Sequence, residues 1–148
     1  MNKQQFMAMS LPYDLKGIDG NGDIAMLMAL DKRGYFCTDL DLEDDEEEMH
    51  VLEGNFKLIL HPLSDLTKPI EHNGEKFVPI TKILEQSCFD TSKMTYKEQC
   101  SYVKGFIDPV ELIVLQDALL LIECHFDIAR LIEKGEAIDV NTIENPYK

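Results

Sequence analysis

Positive charge is what this chain has least of. Against 28 aspartates and glutamates stand 14 lysines and arginines, a formal net charge of −14 over 148 residues. Such a balance repels nucleic-acid phosphates and anionic membranes, so direct nucleic-acid or membrane binding is not expected. The partner it favours is a protein with a basic surface. Long apolar runs are missing as well. Asp117 and Glu123 break the best candidate, which falls short of the roughly 18 residues that a membrane span requires. Met1 to Gln5 leads into no apolar stretch with a small-residue cleavage site, so no secretory signal is read. Cysteine is sparse and scattered at Cys37, Cys88, Cys100 and Cys124. Without the short spacings of a zinc knuckle, these read as free thiols in a reducing cytoplasm. Also absent are a glycine-rich phosphate loop, a GxSxG elbow and an HExxH helix. No cofactor, no metal and no enzymatic activity are therefore expected.

What is present is enough apolar residue, 45%, to bury a core in one domain. Residues 3–9 read as a short helix. Tyr13 to Ile18 looks extended, and Asp19-Gly20-Asn21-Gly22 makes a tight turn from residues that accept positive φ. Residues 24–30 suit a strand, although their methionines and alanines also suit a helix. Asp31-Lys32-Arg33-Gly34 turns into a third strand at Tyr35 to Thr38. A further strand spans Phe56 to Leu60, ended by His61-Pro62, and His72-Asn73-Gly74-Glu75 is the clearest hairpin signal. Helices follow over Ile80 to Cys88 and over Tyr96 to Lys104, the latter ended by Gly105. Ala137 to Asn141 is extended.

The longest reading is a helix from Asp108 to Gly135. Asp108, Pro109 and Glu111 form a capping start, and Lys134-Gly135 a cationic, glycine-closed end. At helical spacing Gln116, Glu123, Asp127, Arg130 and Lys134 make one narrow polar stripe, with Asp127 and Arg130 spaced as a surface ion pair. The remainder is apolar, so the helix is expected to be buried, with Leu112, Leu115, Leu119, Ile122, Phe126 and Ile132 as core. Leu119→Asp is then expected to abolish folding. Strands first and helices later give an α+β class. A small antiparallel sheet, meander or barrel-like, packs on a helical C-terminal half centred on that long helix. Within a single domain of residues 1–148, residues 1–79 form the mainly β part, with an acidic loop at 39–50, and residues 80–148 the mainly helical part.

Candidate chemistry is thin. Asp19-Gly20-Asn21-Gly22-Asp23 has the oxygen spacing that opens a calcium loop. The sixth and twelfth positions, which need glycine and glutamate, hold Ile24 and Leu30, so a plain β-turn is expected. Cys124 and His125 are adjacent and lie about 100° apart on a helix, so only one can face a given site. His125 is expected to be a core histidine bonded to a backbone carbonyl, and a thiol or metal enzyme built on this pair is the least favoured reading. The six adjacent carboxylates Glu43, Asp44, Asp45, Glu46, Glu47 and Glu48 cannot pack in a core. They read as an exposed loop and a candidate surface for a basic partner.

Three phrases carry a resemblance: His61-Pro62-Leu63-Ser64-Asp65-Leu66-Thr67-Lys68, His72-Asn73-Gly74-Glu75-Lys76-Phe77-Val78-Pro79-Ile80, and His125-Phe126-Asp127 followed by Leu131 to Thr142. They are similar to a family of small proteins encoded in phages and prophage-like elements of gut bacteria, to which no activity is assigned. The likeness is loose over the first 55 residues or so. Where such proteins often carry tryptophan before the His-Phe-Asp, this chain has Cys124. The resemblance implies a shared fold and a mobile-element setting and brings no site residue with it. The expected function is a non-enzymatic accessory or protein-interaction role in such an element. The alternative is an acidic inhibitor whose carboxylates imitate nucleic-acid phosphates on a basic host protein.

Overall fold

A turn of a few residues sets the first pairing of the sheet. The Asp19 carboxylate accepts the N–H groups of Asn21 and Asp23 at 2.8 and 2.9 Å, and Gly22 takes φ +96°. This closes β1 (Lys16–Ile18) onto β2 (Ile24–Leu30) with Ile18 opposite Ile24. Residues 24–30 are thus strand, and the Asp19 loop is a β-turn. The computed structural model describes residues 1–31, 33, 35–40, 50–51, 56–86, 90–107 and 115–148. The acidic run Glu43 to Glu48 lies outside them.

From β2 the chain continues antiparallel through β3 (Tyr35–Thr38) and β4 (His50–Val51). β5 (Lys57–Leu60) returns to the other side of β1. Gly17 allows that approach, since a Cβ there would stand 2.5 Å from the Phe56 ring and 2.8 Å from the Lys57 carbonyl. β6 (Ile70–His72) and β7 (Glu75–Phe77) form the expected separate hairpin. The last strand, β8 (Ala137–Asp139), pairs parallel with β5, Leu58 opposite Ala137. The sheet order β4-β3-β2-β1-β5-β8 is open. The expectation of a purely antiparallel, barrel-like sheet is corrected: β8 comes back from the helical half, lies parallel and becomes an edge.

The described helices are α1 (Lys3–Ser10), α2 (Pro79–Gln86), α3 (Tyr96–Ile107) and α4 (Leu115–Glu123). α1 starts with a capping box between Asn2 and Gln5. α3 runs through Gly105 to Ile107, past its expected end. The long helix from Asp108 to Gly135 is corrected more deeply. Residues 108–114 are outside the described residues, and the helix stops at Glu123. Phe126 N–H reaches the Leu121 carbonyl at 2.7 Å, and His125 N–H reaches that of Ile122 at 3.0 Å, with His125 at φ +55°. This pair of bonds around a left-handed residue is a Schellman stop, and Leu121 and Phe126 supply its apolar contact in the same core cluster. Beyond it, buried Asp127 accepts the N–H groups of Leu131 and Ile132 at 2.7 and 2.8 Å. Asp127 therefore caps a turn, and it is not half of a helix-surface pair with Arg130.

Alternation along β5 divides the interior in two. Leu58 and Leu60 join Phe6, Ile83, Leu121 and Phe126 in the main core. Ile59 points to the opposite face, where Val140 and Tyr147 bury it beside half-buried Ile18 and Ile143. Of the expected core, Ile122 and Phe126 are fully buried and Ile132 is half-buried. Leu119 is 43% exposed, a correction that follows from the helix turning Leu121 and Ile122 into the main core instead. The Leu115 side chain and Leu112 are outside the described residues.

Candidate functional site

Three of the four histidines meet beneath the C-terminal segment. His61 follows directly on β5, where its backbone pairs with the chain beyond α4: its N–H donates to the His125 carbonyl, and its carbonyl accepts from Asp127 N–H, both at 2.9 Å. His72 ends β6. The Schellman stop turns His125 inward. Tyr147 lies against them, with its ring 4.5 Å from that of His125, 5.3 Å from His72 and 6.5 Å from His61. The Tyr147 hydroxyl donates to the Ile59 carbonyl at 2.9 Å and accepts Lys16 N–H at 3.0 Å. Asn73 N–H reaches the Tyr147 carbonyl, and the Asn145 amide reaches that of Glu71. The end of the chain is thereby strapped across the sheet and the β6–β7 hairpin.

All three imidazoles are buried, and among the described residues none of their six ring nitrogens finds a hydrogen-bond partner of good geometry. The Tyr13 carbonyl lies near His125, and that of Glu123 near His72, without closing a proper bond. The expected backbone partner of His125 is thus nearby but not engaged. Burial, reinforced by the neighbouring histidines, pushes His72 down to about 4 and His125 to about 3. Burial also lowers His61, against the pull of Asp65 and Asp139. The cluster is neutral at ordinary pH. Among the described residues, no group of three or more His, Cys, Asp or Glu is placed to hold a metal ion. Burial, with Glu123 beside it, drives the Cys124 thiol up to about 12. It is therefore protonated and a poor nucleophile.

His61 also borders a surface cavity of about 380 Å³, within the range that small ligands occupy. Asp65 lies in its wall. This carboxylate is 3% exposed, and it accepts the Lys68 ammonium on one oxygen and the Asn141 amide on the other, both at 2.6 Å. His61 Nδ1 faces it across 4.0 Å. Among the described residues lining the cavity there is no serine, threonine or cysteine, so its walls present carboxylates, ammonium groups and an imidazole rather than a hydroxyl or thiol.

A second feature is the uncovered part of the sheet. The strap that buries Ile59 and half-covers Ile18 stops there, and the same face continues along β2 as Ile24, Met26 and Met28. Ile24 is 45% exposed and Met28 44%. Asp19 and Asp23 stand at one end of this strip, Asp31 at the other, and Asp39 beside it, bonded to Met26 N–H. Sequence reasoning named neither feature. From the sequence alone His61 and His72 mark only a strand end and a turn, although the phrases that carry the resemblance are the segments that meet around this cluster. No described helix is long and apolar enough to cross a membrane. No family model, curated protein or solved structure matches this chain.

Proposed function

We propose that this protein is a non-enzymatic interaction protein, an accessory of a phage-like element, that docks a basic protein on the bare face of its sheet. The observation that carries this is the apolar strip Ile24–Met26–Met28, exposed at Ile24 and Met28 and half-buried at Met26, bordered by carboxylates in a chain of net charge −14. Exposed apolar side chains on a central strand supply buried area, and the surrounding acids select a partner rimmed by lysine and arginine. In sequence the run Glu43 to Glu48 follows shortly after Leu40, itself exposed, and contributes six of the chain's 28 acidic residues.

The test is capture from host lysate at low and high salt by three proteins: the wild type, Ile24→Lys/Met28→Lys, and a chain with residues 43–48 neutralised. One basic protein should be held by the wild type, released by salt and lost with the double variant, whose melting curve should stay unchanged. Sedimentation is run alongside. A dimer made monomeric by Met28→Lys would mean that the strip closes on a second copy, and the proposal would fall. Capture indifferent to Met28 would also overturn it.

A further inference from the structure

We propose that the cavity beside His61 receives an arginine side chain of that basic partner, its guanidinium replacing the Lys68 ammonium on Asp65. This rests on the docking reading above and names the site where the partner would be gripped. The starting point is an imbalance within one ion pair. Asp65 is 3% exposed, whereas the Lys68 side chain that neutralises it is 61% exposed. A buried carboxylate is thus served by a cation reaching in from solvent, and an exposed lysine is held weakly enough to be exchanged.

The surroundings favour a planar, donor-rich guest. His61 borders the same cavity, with neither ring nitrogen hydrogen-bonded to a described residue and Nδ1 4.0 Å from the carboxylate. A neutral imidazole offers one acceptor nitrogen, and Asp65 has capacity beyond the two bonds it now accepts. A guanidinium carries five N–H donors in a fixed fork, so it can satisfy carboxylate and imidazole together where a lysine reaches one point. Ile70, Val140 and Ile143 give the wall an apolar portion for the methylene stem. On the rim, two lysines, Lys76 and Lys148, balance two glutamates, Glu71 and Glu144. The sign of the guest is then decided by the buried group beneath them, a carboxylate. Position supports the same conclusion. Val140 and Ile143 also cover Ile59 and adjoin Ile18, whose register partner Ile24 begins the bare strip. One partner can therefore span both features.

The experiment is an amide NMR titration of the full chain with N-acetyl-argininamide, with N-acetyl-lysinamide and sodium phosphate as controls. Saturable shifts are expected at Ile70, Val140 and the Asn141 side-chain amide with the arginine probe alone. Lys68→Met removes the resident competitor and should tighten binding about fivefold, whereas Asp65→Asn should abolish it. If Asp65→Asn fails to fold, Lys68→Met decides alone, since weakened or unchanged binding in that variant would overturn the proposal. Response to phosphate in place of arginine would make this an anion site and overturn it too. A basic protein captured through Met28, with no arginine binding, would remove this inference and leave the docking face standing. Arginine binding without such capture would do the reverse.

Discussion

His72 and His125 show what a polar side chain costs when the fold encloses it without a partner. Each buried donor or acceptor left unmet costs on the order of 1–3 kcal/mol, so the cluster is tolerable only while it stays uncharged. The folded state holds His72 at about 4, whereas an unfolded chain protonates near the ordinary value of about 6.5. Between those values the unfolded state binds the extra proton. Stability is therefore complete above about pH 6.5 and lost as pH falls toward 4. His72 alone should cost about 2 kcal/mol between pH 7.5 and 5. Urea denaturation at both pH values should show a smaller loss in His72→Gln than in the wild type. Equal losses would mean that the ring is not held neutral. Gly17 is the complementary case, a residue present for lack of a side chain. Gly17→Ala should cost about 1–3 kcal/mol, because the neighbour at 2.8 Å is the Lys57 backbone, which cannot swing aside. An unchanged melting temperature would rule out that close approach.

At the scale of elements, α4 decides which face of the C-terminal half is core. Leu121→Ala should cost about 3 kcal/mol. Leu119→Ala, and even Leu119→Asp, should stay within about 0.5 kcal/mol, as surface changes do. Chemical denaturation of the pair distinguishes the two orientations, and the reverse ranking would place the helix the other way round. The sequence could not disclose this. The turn at Asp19 and the hairpin at Asn73-Gly74 were legible because their chemistry is local, set by residues within a few positions. The end of α4 was not, because the left-handed position that usually declares itself by glycine is filled by His125. With no glycine to mark the stop, apolar spacing carried the expected helix on to Gly135. The candidate site was hidden for a related reason. His61, Asp65 and His72 come from one stretch, His125 from a second, and Asn141 and Tyr147 from a third, and the chain folding back on itself is what brings the three together.

For the whole molecule, the covered and uncovered halves of one sheet face matter most. Residues 140–147 act as a lid for Ile59, held by the Tyr147 hydroxyl, Asn145 and Asn141. A chain ending at Thr142 should therefore gain binding of a hydrophobic dye and lose several degrees of melting temperature. Unchanged dye binding would mean that Ile59 is protected by something else. The parallel pairing of β5 with β8 has a consequence of another kind. A ribosome delivers Leu58 long before Ala137, so while the intervening residues are made β5 is an apolar edge awaiting its parallel partner. The early half of the nascent chain must be shielded or stay loose until the late segment arrives. Expression of this protein should accordingly depend on chaperone supply and growth temperature more than its final fold would suggest.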